Sequence, residues 1–200
     1  MASSRATWIG VLVLLLGVAV EARAATPQVV GGQLVGATGV DVGGLLYDVS
    51  FVDGTCIAVL NGCDTMDDAS FGTQAEAELA SQALLDQVLI DAGSGAFDST
   101  PALTNGCTDA QTCSILSVSY VHVAHHIAVG IAHNHAPGGS ADGVEGKALG
   151  LPIDTSLLPD GVFAVWTPQG APAPGAPALW TVVAVLAAGL RAIRVGSAQA

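Results

Sequence analysis

The sequence predicts an α+β fold: a small single domain with a few antiparallel strands and one long helix, flanked by a signal peptide and a C-terminal apolar tail helix. Two observations predict it. Strand-like segments come before and after one well-capped helical segment, an order typical of α+β domains. The two apolar ends leave roughly 150 residues between them, the size of one domain.

The first strand is predicted over residues 40–52. Apolar and polar residues alternate near its end, so Tyr47, Val49 and Phe51 share one face, which we expect to be the core face. Asp53 and Gly54 follow as a turn.

The long helix is predicted to begin after Thr73. Thr73 and Glu76 have the spacing of a capping box, in which each side chain bonds the other residue's backbone N–H. Helical spacing along one face is shown by Ala77, Ala80, Ala83, Leu84 and Val88. The helix should end between Ile90 and Ala92, with Gly93 following it.

The second half of the chain predicts further strands. Residues 115–131 are rich in β-branched side chains and favour one or two strands, with a break at Gly130. Residues 138–146 should form a loop, and residues 161–166 a short final strand.

The N-terminal 24 residues are typical of a secretory signal peptide. Arg5 precedes an apolar run over residues 8–20, and Ala22 and Ala24 supply the small residues of a cleavage site. The mature chain would then begin near Ala25. An uncleaved membrane anchor is the alternative interpretation.

The C-terminus resembles a tail-type membrane segment. A linker rich in Pro, Ala and Gly (residues 167–177) leads into an apolar stretch that begins at Ala178, and Arg191 and Arg194 follow within the tail of residues 178–200. This order predicts a tail in the inner membrane, with its arginines on the cytoplasmic side. A buried last helix is the alternative, although the stretch has almost no polar face.

The body, residues 25–166, differs from the two ends in its charge. All 17 acidic residues except Glu21 fall between Asp41 and Asp160, where Lys147 is the only basic residue. Nucleic-acid binding is therefore excluded, because a phosphate footprint needs clustered Lys and Arg. The acidity favours solubility outside the cell, and divalent-cation binding is the alternative.

The four cysteines form two close pairs, Cys56 with Cys63 and Cys107 with Cys113. An exported chain meets an oxidising compartment, and an even count favours disulfides. Four cysteines allow three connectivities, of which the two local bridges are favoured because each pair brackets a turn. A zinc site is the alternative, but neither pair has the usual spacing.

All five histidines lie within 14 residues: His122, His125, His126, His133 and His135. Imidazole is a common metal ligand, and the two residues His133 and His135 would share one side of a strand. If Gly130 turned the chain back, His125 or His126 would join them in a Zn²⁺ or Cu²⁺ site. No other cofactor and no catalytic residue is predicted, and an exposed, metal-free histidine segment is the alternative.

Several segments, read together, resemble a family. Residues 47–56 (YDVSFVDGTC), 70–91, 97–101, 105–113 and 162–168 are similar to uncharacterised exported proteins with PEP-CTERM sorting tails. The resemblance implies sorting by an exosortase-like transpeptidase in bacteria that make extracellular polysaccharide. The Pro-Glu-Pro motif of that family is degenerate here, since Pro172, Ala173 and Pro174 occupy its place.

Together these features predict a non-enzymatic exported protein of the cell surface or extracellular matrix, and no specific activity. Its partners would be the secretion machinery, an exosortase-like enzyme, the membrane through the tail, and extracellular polysaccharide. The alternative function is that of an extracytoplasmic metal-binding protein or metal-dependent hydrolase built on the histidines from His122 to His135.

Overall fold

The computed structural model describes residues 24–119 and 126–170. These residues form nine strands, two α-helices and three short 3₁₀ turns. The strands are β1 (Thr26–Val30), β2 (Gln33–Val42), β3 (Leu45–Val52), β4 (Asp91–Ala92), β5 (Gly95–Ala96), β6 (Thr112–Ser119), β7 (His126–His135), β8 (Gly143–Gly150) and β9 (Gly161–Pro168). The helices are α1 (Cys56–Val59) and α2 (Gln74–Gln87), and the 3₁₀ turns are Met66–Asp68, Pro101–Leu103 and Thr155–Leu157.

Seven strands form one mixed sheet in the order β1-β2-β3-β9-β6-β7-β8. Neighbours are antiparallel except β6 and β9, which run parallel. Strands β4 and β5 form a separate two-stranded ribbon. The α+β class is confirmed in its coarse form: the described residues are mostly β-sheet with one long helix, but the sheet is larger than the few antiparallel strands predicted.

The segment predicted as one strand over residues 40–52 is part of a hairpin. Strands β2 and β3 pair antiparallel and are joined through Gly43 and Gly44, whose φ angles are 62° and 91°. A two-residue turn with both φ angles positive suits the twist of a hairpin and favours glycine. The predicted core face is correct, because Val49 and Phe51 are buried and Tyr47 is half-buried.

Helix α2 begins as predicted and ends early. The Thr73 side chain accepts from the backbone N–H of Glu76, and the Glu76 carboxylate accepts from the backbone N–H of Thr73. The predicted end at Ile90 to Ala92 is wrong. The helix stops at Gln87 because Asp91–Ala92 pairs with Gly95–Ala96, and the Asp91 carboxylate accepts two backbone N–H groups from the next loop.

The sheet has an apolar core on each face. One face packs against α2, whose Ala77, Ala80 and Leu84 are fully buried. The other face is covered by α1 and by the loop after β8, with Cys56, Leu116, Val129 and Phe163 among its buried members, and Leu151 and Ile153 partly buried against them. The sheet is therefore the middle layer of the domain.

Two further predictions for the second half are corrected. Gly130 does not break the chain; it lies in the middle of β7, and the two strands β6 and β7 are separated by residues 120–125, outside the described residues. Residues 143–150 are strand β8 and not loop, since they pair with β7 along their whole length. The final strand is confirmed as β9.

No helix within residues 24–119 and 126–170 combines the length and apolar character needed to cross a bilayer. The predicted signal peptide and the predicted apolar tail, with Arg191 and Arg194, both lie outside the described residues. So do the sorting positions Pro172, Ala173 and Pro174.

Candidate functional site: a histidine row on the sheet face

One polar row crosses three neighbouring strands on the face opposite α2. We call it the histidine row. Its members are Ser114 on β6, His133 and His135 on β7, and Glu145 and Lys147 on β8. Ser114 lies directly opposite His133 in the β6–β7 register. Glu145 lies opposite Ile131, one diagonal step from His133, which is within reach of long side chains.

His133 is held by both ring nitrogens. Its Nδ1 is 3.1 Å from the Ser114 hydroxyl oxygen, and its Nε2 is 3.4 Å from the nearer Glu145 carboxylate oxygen. The His133 side chain is 29% exposed and that of Glu145 is 51% exposed. The ring is therefore oriented by its neighbours while part of the side chain stays exposed to solvent.

His135 lies beside His133 on the same side of the strand. The two ring centroids are 6.2 Å apart and the rings are nearly parallel, with an interplanar angle of 16°. The backbone of His135 is fixed by a 2.7 Å hydrogen bond from its N–H to the Asp142 carboxylate. The prediction that His133 and His135 share a strand side is confirmed.

Among the described residues, His126 is the remaining member of the predicted metal set, and it is not brought to this pair because β7 continues through Gly130. His126 is exposed at the start of β7, seven positions from His133. In an extended strand that separation is about 23 Å, and an odd number of steps places the two side chains on opposite faces. His122 and His125 lie outside the described residues. Within residues 24–119 and 126–170, no three His, Cys, Asp or Glu side chains already converge on one metal position.

Both predicted local cysteine pairs are bonded. The Cys56–Cys63 bridge joins Cα atoms 5.8 Å apart, and the Cys107–Cys113 bridge joins Cα atoms 5.7 Å apart. Each bridge lies in a sheet-facing core, the first on the face that carries the histidine row and the second on the α2 face. The disulfides therefore fix the loops that cover the sheet.

A group of carboxylates lies near the end of the row. Burial, a hydrogen bond with the Asp142 side chain, and the charges of Asp142 and Asp91 raise the pKa of Asp98. Elsewhere the pKa of Asp53 is raised, mainly by burial. The pKa of Asp68 is lowered, because its carboxylate accepts backbone N–H groups from Asp64 and Thr65.

A concave surface elsewhere in the domain is a groove of about 300 Å³ between the β2–β3 turn and the start of α2. Its walls include Leu45, Tyr47, Phe71 and Leu79. The one carboxylate in its lining, Glu76, is already engaged in capping α2. The groove therefore offers apolar surface and little that would orient a polar substrate.

Ser114 and Glu145 were not predicted as site residues. The segment Glu145-Gly-Lys-Ala-Leu149 has no regular alternation of apolar and polar residues, so it carries no clear strand signal. The positions of Ser114 and Glu145 beside His133 depend on the registers of β6 and β8 against β7, which the local sequence pattern does not give.

No protein-family model matches the chain, and neither a curated protein nor a solved structure is significantly similar to it.

Proposed function

We propose that this chain is an exported, non-enzymatic protein of the cell surface or extracellular matrix. The observation that carries the proposal is the pair of disulfides, Cys56–Cys63 and Cys107–Cys113, which together use every cysteine of the chain. Structural disulfides form and persist in oxidising compartments outside the cytoplasm.

The surface chemistry of the body supports the same proposal. Nearly all of its charges are carboxylates, and many of the described ones are used structurally: Asp91, Asp109 and Asp154 each accept backbone N–H groups in turns. A strongly acidic body repels other acidic polymers and stays soluble. Secretion machinery, an exosortase-like enzyme and extracellular polysaccharide are the partners that the predicted ends and the family resemblance favour.

The proposal is tested on protein from the native envelope. Intact-mass analysis should place the N-terminus near Ala25, and thiol alkylation before reduction should modify none of the four cysteines. Replacing Ala22 and Ala24 together by Arg should block processing, because the cleavage site requires small residues. A cytoplasmic chain that retains its first residues and carries four free thiols would overturn the proposal.

A second candidate function is metal binding at His133 and His135, favoured by their parallel rings on one solvent-facing strand side. Neutral imidazoles bind Zn²⁺ and Cu²⁺, and they release the metal as they protonate. The mature protein should bind metal at about pH 7.5 and lose it near pH 5, because protons compete with the metal for the ligand nitrogens. The double variant His133→Ala/His135→Ala should not bind, whereas His126→Ala is a matched control on the same strand.

A further inference from the structure

We infer that Glu145 is a third ligand of a Zn²⁺ ion bound by His133 and His135, and that Ser114 holds His133 in the tautomer that binds it. The inference rests on the proposed metal-binding function and extends it to residues on β6 and β8. It replaces the third histidine expected from the sequence with a carboxylate from the neighbouring strand.

The distance between His133 and Glu145 carries the inference. Zinc binds imidazole nitrogen at about 2.0–2.1 Å and carboxylate oxygen at about 2.0–2.2 Å, so two such ligands at a tetrahedral angle stand about 3.3–3.5 Å apart. The His133 Nε2 and the Glu145 Oε2 are 3.4 Å apart. A charge-assisted hydrogen bond between them would be shorter, at about 2.7–2.9 Å. The pair therefore has the separation of two ligands of one ion.

His135 needs only a small movement to complete the set. Two imidazoles on one tetrahedral zinc have ring centroids about 5.2 Å apart, from the same bond lengths. The centroids of His133 and His135 are 6.2 Å apart. The half-exposed His135 ring closes that gap by side-chain rotation, while its backbone stays fixed by Asp142. A water molecule takes the fourth position of such a site.

Ser114 acts as a positioning residue. When the His133 Nδ1–H donates to the Ser114 hydroxyl oxygen at 3.1 Å, the lone pair of the neutral ring is on Nε2, which faces Glu145. The Ser114 backbone is itself anchored, since its N–H donates to the Asp160 carbonyl at 2.6 Å. Both the tautomer and the ring orientation are thus set by β6.

Lys147 is the charged group that opposes binding. Its ammonium is 4.0 Å from the Glu145 carboxylate and competes with the ion for that side chain. The other titratable groups around His133 are Glu145 on β8, His135 on β7 and Asp142 in the loop before β8. Removing the lysine charge should therefore tighten zinc binding.

The test measures zinc affinity of the full mature chain by competition with a chromogenic chelator at about pH 7.5. Glu145→Gln should weaken binding by about tenfold or more, and Ser114→Ala by about tenfold, as for other residues that orient a ligand. Lys147→Gln should strengthen binding, and His126→Ala should leave it unchanged. Nitrogen NMR of the His133 ring should show the Nδ1–H tautomer, which Ser114→Ala should shift.

Three outcomes separate this inference from the function on which it rests. If Glu145→Gln binds as tightly as the parent while His133→Ala/His135→Ala does not bind, the carboxylate ligand is wrong and metal binding stands. If His125→Ala, and not Glu145→Gln, removes binding, the third ligand is that histidine and the inference is wrong. If the double histidine variant binds as tightly as the parent, both fail.

Discussion

Replacing Gly130 by alanine tests how closely the backbone of α2 packs against strand β7. A Cβ atom at this position would overlap the carbonyl carbon and oxygen of Ala77 and come within 2.5 Å of the Glu78 backbone nitrogen. These are backbone atoms of α2, whose neighbouring side chains Ala80 and Leu84 are fully buried. Carbon atoms in contact need about 3.5 Å, so the helix would have to move by about 1 Å.

The expected cost follows from two opposing effects. Overpacking a well-filled core typically costs about 1–3 kcal/mol. Alanine also restricts the unfolded chain relative to glycine, which stabilises the fold by about 0.4–1 kcal/mol. Because the obstructing atoms are backbone and cannot rotate away, we expect Gly130→Ala to lower the free energy of unfolding by about 2 kcal/mol, near the upper part of the net range.

Gly146 on β8 offers a matched comparison. A Cβ there would also overlap α2, but it would meet the Glu78 carboxylate and the Gln74 amide, the ends of flexible side chains, of which Glu78 is half-buried and Gln74 exposed. Gly146→Ala should therefore cost no more than their 2.8 Å hydrogen bond, a helical pair worth about 0.2–0.5 kcal/mol. At Gly143 an added Cβ meets nothing within 4 Å, and Gly143→Ala should be neutral or slightly stabilising.

Urea unfolding followed by circular dichroism, with the disulfides intact, measures all three variants. The expected order of stability is Gly143→Ala, then Gly146→Ala, then Gly130→Ala well below both. If Gly130→Ala and Gly146→Ala unfold at the same urea concentration with the same slope, α2 does not rest on β7 as described.

The remaining predictions concern the disulfides and one carboxylate. Replacing Cys56 and Cys63 together by Ser, or Cys107 and Cys113 together, should each lower the free energy of unfolding by about 2–3 kcal/mol, since each bridge closes a short loop; peptide mapping without reduction that recovered crossed pairs would contradict the assignment. Because the pKa of Asp98 is raised, the native state binds that proton more tightly than the unfolded chain, so the stabilisation is present at low pH and is lost as the pH rises through the raised pKa. Asp98→Asn should therefore flatten the dependence of Tm on pH above the ordinary aspartate pKa of about 3.9, and a variant whose Tm follows the parent's at every pH would refute it.

Local chemistry explains which parts of the fold were predictable. The start of α2 is decided by Thr73 and Glu76 alone, so the capping box was visible in the sequence. The alternation of Tyr47, Val49 and Phe51 likewise marked a core-facing strand. The end of α2 depends on contacts of Asp91 with a later loop, and was therefore missed.

The order of the strands in the sheet could not be predicted from the sequence, for a different reason. Nothing within residues 161–168 indicates that β9 pairs with β3 on one side and with β6 on the other, because both partners are distant in the chain. The predicted break at Gly130 is wrong for a related reason. Because Gly130 has no side chain, the backbone of α2 can approach it closely. In a sequence, a glycine that allows such a contact between distant elements looks the same as a glycine that allows a turn.

Part of the histidine row could be predicted from the sequence, because that part depends only on local spacing along one strand. The period of two along a strand placed His133 and His135 together without any knowledge of the fold. Ser114 and Glu145 reach His133 only through the registers of β6 and β8 against β7. Those registers are set by the whole sheet.

The central place of β9 has a consequence for the order of events in folding. It is the last strand of the described chain, yet within the sheet it is the strand that pairs with both β3 and β6 and so connects β1-β2-β3 to β6-β7-β8. Until residues 161–168 are available, each half is a three-stranded sheet with an open inner edge, and the long-range pairings that close it form slowly. If the chain passes through a pore from its N-terminus, its sheet therefore cannot be completed until almost all of the body has passed. Until then the incompletely folded chain can continue to move through the pore.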